Sequence, residues 1–127
     1  MLRQKIDSIL ENWIKEISSE ELLPEEIQAL NFGIFESENG YTVYLTGSNE
    51  YDAEDDDWTC NEDFVPNNRY LEFDQKEVTI LDWEEFLNLI VDCLKNIIKL
   101  EDHSKYKILN VANITSGFDD GDLIKLK

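Results

Sequence analysis

A long apolar stripe near residue 90 most constrains the fold of this 127-residue chain. Asp82 and Glu85 have the spacing of a capping box, which marks the start of a helix. After them, apolar residues recur at intervals of three and four, as in a helix that buries one side. They are Trp83, Phe86, Leu87, Ile90, Leu94, Ile97 and Ile98, with Leu89, Val91 and Cys93 widening the face. We predict that this helix covers one face of a β-sheet.

Several short segments are predicted to form that sheet. Residues 32–36 and 41–46 are rich in β-branched and aromatic residues, and they flank Asn39-Gly40, a dipeptide that favours a type I′ hairpin turn. In the second segment, alternate residues face opposite sides, with Tyr41, Val43 and Leu45 on one and Thr42, Tyr44 and Thr46 on the other. The remaining candidates are a strand at 69–73, a hairpin at 114–118 and 123–126, and residues 78–81, which either extend the sheet or pack under the helix.

Two helices are predicted before the first strand. Ile6, Leu10, Trp13, Ile14 and Ile17 give an amphipathic helix over residues 2–18. The segment Pro24-Glu25-Glu26 favours the first turn of a second, short helix with Ile27 and Leu30 buried. We therefore predict a single α+β domain over residues 1–127, in the order α-α-β-β-loop-β-α-β-β. Its mostly antiparallel sheet packs against the long apolar helix and the N-terminal helix.

The negative charge of the chain is unevenly distributed. The formal net charge is −18, and between Lys15 and Arg69 fifteen Asp and Glu residues occur with no Lys or Arg. The second half of the chain is closer to balance. A one-sided field of this sign repels nucleic acid and anionic membranes and attracts a basic protein surface. We therefore expect a basic protein as the partner.

The acidic loop, residues 48–63, is the main candidate for a functional site. It carries eight Asp and Glu residues and no Lys or Arg, and it also contains two aromatic residues. Exposed carboxylates with aromatic anchors form a docking patch for a basic partner. The predicted partner-binding residues are Glu50, Tyr51, Asp52, Glu54, Asp55, Asp56, Asp57 and Trp58. A second interpretation is equally open, in which Trp58 and Phe64 pack into the domain and hold the loop while its carboxylates are merely solvated.

The sequence lacks the usual patterns of metal and catalytic sites. The carboxylates of the acidic loop are consecutive and lack the central Gly and closing Glu of an EF-hand. Cys60, Cys93 and His103 do not have the spacing of zinc ligands. No nucleophile motif or glycine-rich phosphate loop occurs. We expect no catalytic residues, no dedicated metal site and no cofactor, with a divalent-ion binder or a small enzyme as the least favoured alternative.

The sequence also suggests where the protein works. Two cysteines do not make a disulfide framework, and the N-terminal residues MLRQKIDSIL carry charges among their apolar positions, unlike a signal peptide. No apolar stretch reaches the roughly 18 residues of a membrane span. We expect a cytoplasmic protein that does not associate with membranes.

Three short segments carry a family resemblance. They are residues 44–48 (YLTGS), 55–64 (DDDWTCNEDF) and 117–122 (GFDDGD). In these segments, and in length and layout over most of the chain, the protein resembles the small acidic bacterial immunity proteins encoded beside polymorphic or contact-dependent toxins. The resemblance implies a cytoplasmic protein that binds and neutralises a cognate toxin, often a nuclease, and it assigns no role to an individual residue.

Taken with the acidic loop, this resemblance predicts a non-enzymatic protein that occludes a basic surface of its toxin. The alternative is an adaptor or structural module that binds some other basic protein.

Overall fold

Two helices pack on one face of a five-stranded mixed sheet. The computed structural model describes residues 2–38, 40–74, 81–99, 107–119 and 121–127. The helices are α1 (Leu2–Glu20) and α2 (Trp83–Lys99). The strands are β1 (Ala29–Ser37), β2 (Gly40–Ser48), β3 (Tyr70–Asp74), β4 (Asn113–Phe118) and β5 (Ile124–Lys125), and 3₁₀ helices span Asp56–Cys60 and Lys107–Asn110. The predicted α+β class is confirmed.

The sheet has the strand order β3-β2-β1-β4-β5. The pairs β1–β2, β2–β3 and β4–β5 are antiparallel, whereas β1 and β4 run parallel at the centre of the sheet. The predicted first hairpin is present, with Ser37 opposite Gly40, and Gly40 has a φ of 141° that favours glycine. Asn39, on which the predicted turn type depends, lies outside the described residues, as do residues 78–80, Asp120 and His103.

The short helix predicted at Pro24 is wrong. The chain makes a turn there, closed by the Ile27 N–H donating to the Pro24 carbonyl at 3.1 Å. The next N–H, that of Gln28, already donates to the Ser48 carbonyl of β2 at 2.8 Å. Because one isolated helical turn is costly to nucleate, the pairing with the sheet prevails. Ile27 and Leu30 are nevertheless buried, as predicted.

Aromatic contacts hold both helices against the inner face of the sheet. The ring of Phe86 in α2 stacks on Tyr41 with 4.3 Å between centroids, and its edge contacts Phe73 at 5.4 Å. In α1 the Trp13 ring contacts Phe32 at 6.1 Å, and its N–H donates to the Asn68 carbonyl at 2.7 Å. Phe32, Phe73 and Phe86 are fully buried, and truncating a buried Phe of this kind costs about 3–5 kcal/mol.

The apolar face of α2 is buried along most of its length, but not at its start. The buried residues are Phe86, Ile90, Val91, Cys93, Leu94, Ile97 and Ile98. Trp83, predicted to belong to this face, is 54% exposed. It is the first residue of the helix, and its ring contacts that of Phe118, with 5.9 Å between centroids.

The outer face of the sheet carries polar and aromatic side chains. The predicted alternation in β2 holds, since Tyr41, Val43 and Leu45 belong to the core cluster. Tyr44 and Thr46 face the other way and line a cavity on the outer face. In the described part of the chain α1 and α2 lie on the inner face, and the cavity is lined by strands and by the loops beside them. The acidic loop is one of these loops.

The capping box predicted from the sequence is present and can be tested. The Glu85 N–H donates to Asp82 Oδ1 at 2.8 Å, and the Asp82 N–H donates to Glu85 Oε1 at 3.4 Å. We expect Asp82→Ala to lower the free energy of unfolding by about 1 kcal/mol, because a helix N–H loses its acceptor. Asp82→Asn keeps an acceptor and is expected to retain most of that stability. Urea denaturation measures both, and equal losses in the two variants would contradict the capping role.

Candidate functional site

Two buried rings belong to the acidic loop and to the residue that follows it. Trp58 is 5% exposed and Phe64 is 7% exposed. The loop returns to β2 through paired backbone hydrogen bonds, in which the Gly47 N–H donates to the Phe64 carbonyl at 2.9 Å and the Phe64 N–H donates to the Gly47 carbonyl at 3.1 Å. Trp58, predicted as an aromatic anchor for a partner, is buried in this structure, as the second interpretation of the loop expects of both Trp58 and Phe64.

Aspartate side chains shape the backbone of the acidic loop. Asp52 Oδ1 accepts from the Glu54 N–H at 2.9 Å, and Asp55 Oδ1 accepts from the Asp57 N–H at 3.0 Å. The second bond caps the 3₁₀ helix Asp56–Cys60. Short side chains with acceptor oxygens commonly hold turns in this way. The carboxylates therefore stand on a defined backbone conformation, and two of them help to set it.

The six predicted carboxylates are all exposed to solvent. They are Glu50, Asp52, Glu54, Asp55, Asp56 and Asp57. Within the described ranges, none of them has a Lys or Arg nitrogen within 4.0 Å. Tyr51 is half-buried, with its ring 5.3 Å from that of Trp58 and 5.5 Å from Lys125 Nζ. The structure thus exposes all six carboxylates on the acidic loop, with the ammonium group of Lys125 beside Tyr51.

A cavity of about 510 Å³ lies on the outer face of the sheet beside the acidic loop, and we call it the outer-face cavity. The 3₁₀ helix of the loop forms one wall, and the turn that follows β4 forms another. Its aromatic and charged lining residues are Phe35, Tyr44, Tyr70, Phe118, Asp56, Glu62, Arg69 and Asp119. Only Asp56 of these was a predicted site residue, so this surface extends well beyond the acidic loop.

The aromatic rings of the outer-face cavity surround a guanidinium group. The centroids of Phe35, Tyr44 and Tyr70 lie between 5.9 and 6.4 Å apart. Arg69 Cζ is 4.9 Å from the Tyr70 centroid and 5.9 Å from the Tyr44 centroid, within the range of a cation–π contact. Arg69 Nη2 also donates to Glu62 Oε1 at 3.0 Å. One basic side chain is therefore already held by rings and a carboxylate.

Tyr44 links the two sides of the outer-face cavity. Its ring lies over Gly33, where a Cβ would overlap the phenol, and its hydroxyl donates to Asp119 Oδ1. Burial raises the pKa of Tyr44, and the hydrogen bond to Asp119 raises it further because it stabilises the protonated phenol. The glycine in β1 thus creates the space in which this residue of β2 reaches the end of β4.

The described residues show no metal-binding arrangement. No three or more of their His, Cys, Asp and Glu side chains are grouped so as to hold a metal ion. Of the sequence candidates for zinc, Cys60 is exposed and Cys93 is buried, and burial raises the pKa of the Cys93 thiol to about 11. In the same ranges, no helix is long and apolar enough to cross a membrane.

Comparison with known proteins found no matching family model, no matching curated protein and no matching solved structure. The resemblance to bacterial immunity proteins therefore stays a prediction.

The space over Gly33 gives a test of how Tyr44 is held. We expect Gly33→Ala to push the phenol away from Asp119 and to lower the free energy of unfolding by about 1–3 kcal/mol, as overpacking does. Gly121→Ala is the matched control, because the nearest atom to its added Cβ would be 3.7 Å away. Urea denaturation and the Tyr44 ring signals in NMR spectra report the outcome, and an unshifted ring in Gly33→Ala would contradict it.

The raised pKa of Tyr44 predicts a pH dependence of stability. An unfolded tyrosine loses its proton near 10.0, but folded Tyr44 keeps it to a higher pH. The stabilisation is therefore complete below about pH 10 and is lost as the pH rises through the folded pKa. We expect the cost of Tyr44→Phe, measured by urea denaturation, to shrink between about pH 7 and about pH 11. A cost that does not change with pH would contradict this assignment.

Proposed function

We propose that the protein binds a basic protein partner through the acidic loop and neutralises it by occlusion, as an immunity protein neutralises its cognate toxin. One observation carries the proposal. Six exposed carboxylates, without ion-pair partners among the described residues, stand on a loop that is fixed by two buried rings. The negative charge of such a surface attracts a basic partner, and its fixed backbone conformation allows the partner to bind in one geometry.

The fixed backbone conformation of the acidic loop favours a role in binding over a role in solubility alone. A disordered acidic segment must be ordered when it binds, and that ordering lowers its affinity. Here Trp58 and Phe64 are already buried, and Asp52 and Asp55 already hold backbone N–H groups. The negative field also accelerates the encounter with a positive surface. The loop therefore combines fast association with a small ordering cost.

A nucleic-acid-cutting toxin is the partner class that best matches this surface. The cleft of such an enzyme is basic because it binds phosphates. Carboxylates of the acidic loop would stand where phosphates bind, and Tyr51 at the edge of the loop would supply an aromatic contact. Trp58 acts from below in this proposal, since it supports the Tyr51 ring and does not touch the partner.

The proposal can be tested with a pair of charge-reversal variants. Asp56→Lys/Asp57→Lys changes the exposed loop and leaves the cap at Asp55 in place. Glu16→Lys/Glu20→Lys makes the same change of charge on the exposed side of α1. Tagged wild type and variants are used to capture partners from host lysate at about 50 and about 300 mM salt, because salt screens exposed charges. The captured protein is then expressed alone and together with each variant.

We expect one basic partner to be retained by wild type and by the α1 variant, and to be largely lost by the loop variant and at the higher salt. Expression of that partner alone is expected to stop growth, and co-expression of wild type or the α1 variant to restore it. A partner that is not toxic would favour the adaptor alternative. Equal protection by the loop variant and wild type would overturn the proposal.

A further inference from the structure

We propose that the outer-face cavity receives a guanidinium side chain, an arginine of the partner protein that the acidic loop binds. This inference rests on the proposed function, because the acidic loop forms one wall of the cavity. Asp56, Thr59 and Cys60 of the loop line that wall, whereas most of the other exposed carboxylates line a separate depression beside Trp58. A partner that covers Asp56 therefore reaches the edge of the cavity.

The charges of the outer-face cavity favour a cation. Three carboxylates line it, those of Asp56, Glu62 and Asp119, and they face the single guanidinium of Arg69. Arg69 is paired with Glu62, while Asp56 and Asp119 have no Lys or Arg within ion-pair distance in the part of the chain that the structure describes. The net charge of the protein is −18. An anionic ligand would therefore meet repulsion both inside the cavity and on the way to it.

The rings of the cavity favour a guanidinium among cations. Phe35, Tyr44 and Tyr70 line the same space, and Tyr70 is 51% exposed and so open to contact. Planar guanidinium groups stack on aromatic faces and pair with carboxylates in a fixed geometry. Arg69 already makes both contacts, with Tyr70 at 4.9 Å and with Glu62 at 3.0 Å. The contacts of Arg69 thus show that this wall of the cavity can bind the side chain of an arginine.

The volume of the cavity also suits this occupant. At about 510 Å³ it falls within the range of sites that enclose a whole small ligand, so it accepts an arginine side chain together with adjoining backbone. The far rim, at Asp119, is fixed by the hydrogen bond from Tyr44. A carboxylate that is held in place before binding strengthens a charge-assisted contact, because less freedom is lost on binding.

The experiment titrates the isotope-labelled full-length chain with three probes and follows its amide signals by NMR. The probes are the N-acetyl amides of arginine, of citrulline, which has nearly the same shape without the charge, and of glutamate, which has the opposite charge. We expect the arginine probe to shift the signals of Gly117, Gly121 and Arg69, which line the cavity. The citrulline and glutamate probes are expected to leave them unchanged at the same concentration.

Two variants then test whether the arginine probe binds in the cavity. Glu62→Gln/Asp119→Asn removes two charges and keeps the acceptors for Arg69 and Tyr44, and it is expected to weaken the arginine probe about 2- to 10-fold. Tyr70→Leu removes an open ring and is expected to weaken it about 2- to 5-fold. The matched control Glu16→Gln/Glu20→Gln, which removes the same charge from exposed positions of α1, is expected to bind as wild type does.

Equal shifts with citrulline would overturn the inference, and so would binding of the glutamate probe or an unchanged affinity in the cavity variants. Arginine-induced shifts confined to the tip of the acidic loop, around Ala53, would also overturn it while leaving the proposed function intact. The proposed function fails separately, when a loop variant still protects against the toxin. The two failures are therefore read from different experiments.

Discussion

The burial of two aromatic rings beneath a strongly charged loop is the contact on which this surface depends. Eight carboxylates within residues 48–63 repel one another, at about 1 kcal/mol for a pair 4 Å apart in water. Trp58 and Phe64 oppose that repulsion from below, since burying a large apolar side chain contributes about 1.5–3 kcal/mol. The backbone bridge between Gly47 and Phe64 ties the loop to β2. The exposed carboxylates of the acidic loop are thus held in place by the burial of apolar side chains next to them.

The packing of the helices on one face of the sheet determines which side chains stay accessible on the other face. Both helices of the described chain pack on the inner face, so the outer face keeps its tyrosines and its glycines. In the function proposed above, the acidic loop and the outer-face cavity have different parts in recognition. Exposed carboxylates would act at a distance and raise the rate of encounter, whereas the rings and fixed carboxylates of the cavity would act only in contact and select a particular side chain.

Local features were predictable from the sequence, and features that join distant segments were not. The cap at Asp82 and the alternation around Tyr44 depend on residues close in the chain, and both are present. The helix at Pro24 was wrong because the Gln28 N–H donates to the carbonyl of Ser48 in β2, twenty residues further on. The hydrogen bond of Tyr44 to Asp119 depends on the parallel pairing of β1 with β4, and no local sequence pattern indicates that pairing. An aromatic residue within an acidic stretch, such as Trp58, can equally face a core or a partner.

The parallel pairing at the centre of the sheet also orders the events of folding. The strands β1 and β2 form a hairpin and β3 joins β2 beyond the acidic loop, but β4 joins β1 across 84 residues, with Thr115 hydrogen-bonded to Asn31. Closing so long a loop is slow compared with forming a hairpin. Tyr44 can donate its hydrogen bond to Asp119 only after β4 has paired with β1. A chain still being synthesised can therefore pair β1, β2 and β3 before β4 arrives, and the outer-face cavity, which Gly117 and Asp119 line, is completed last.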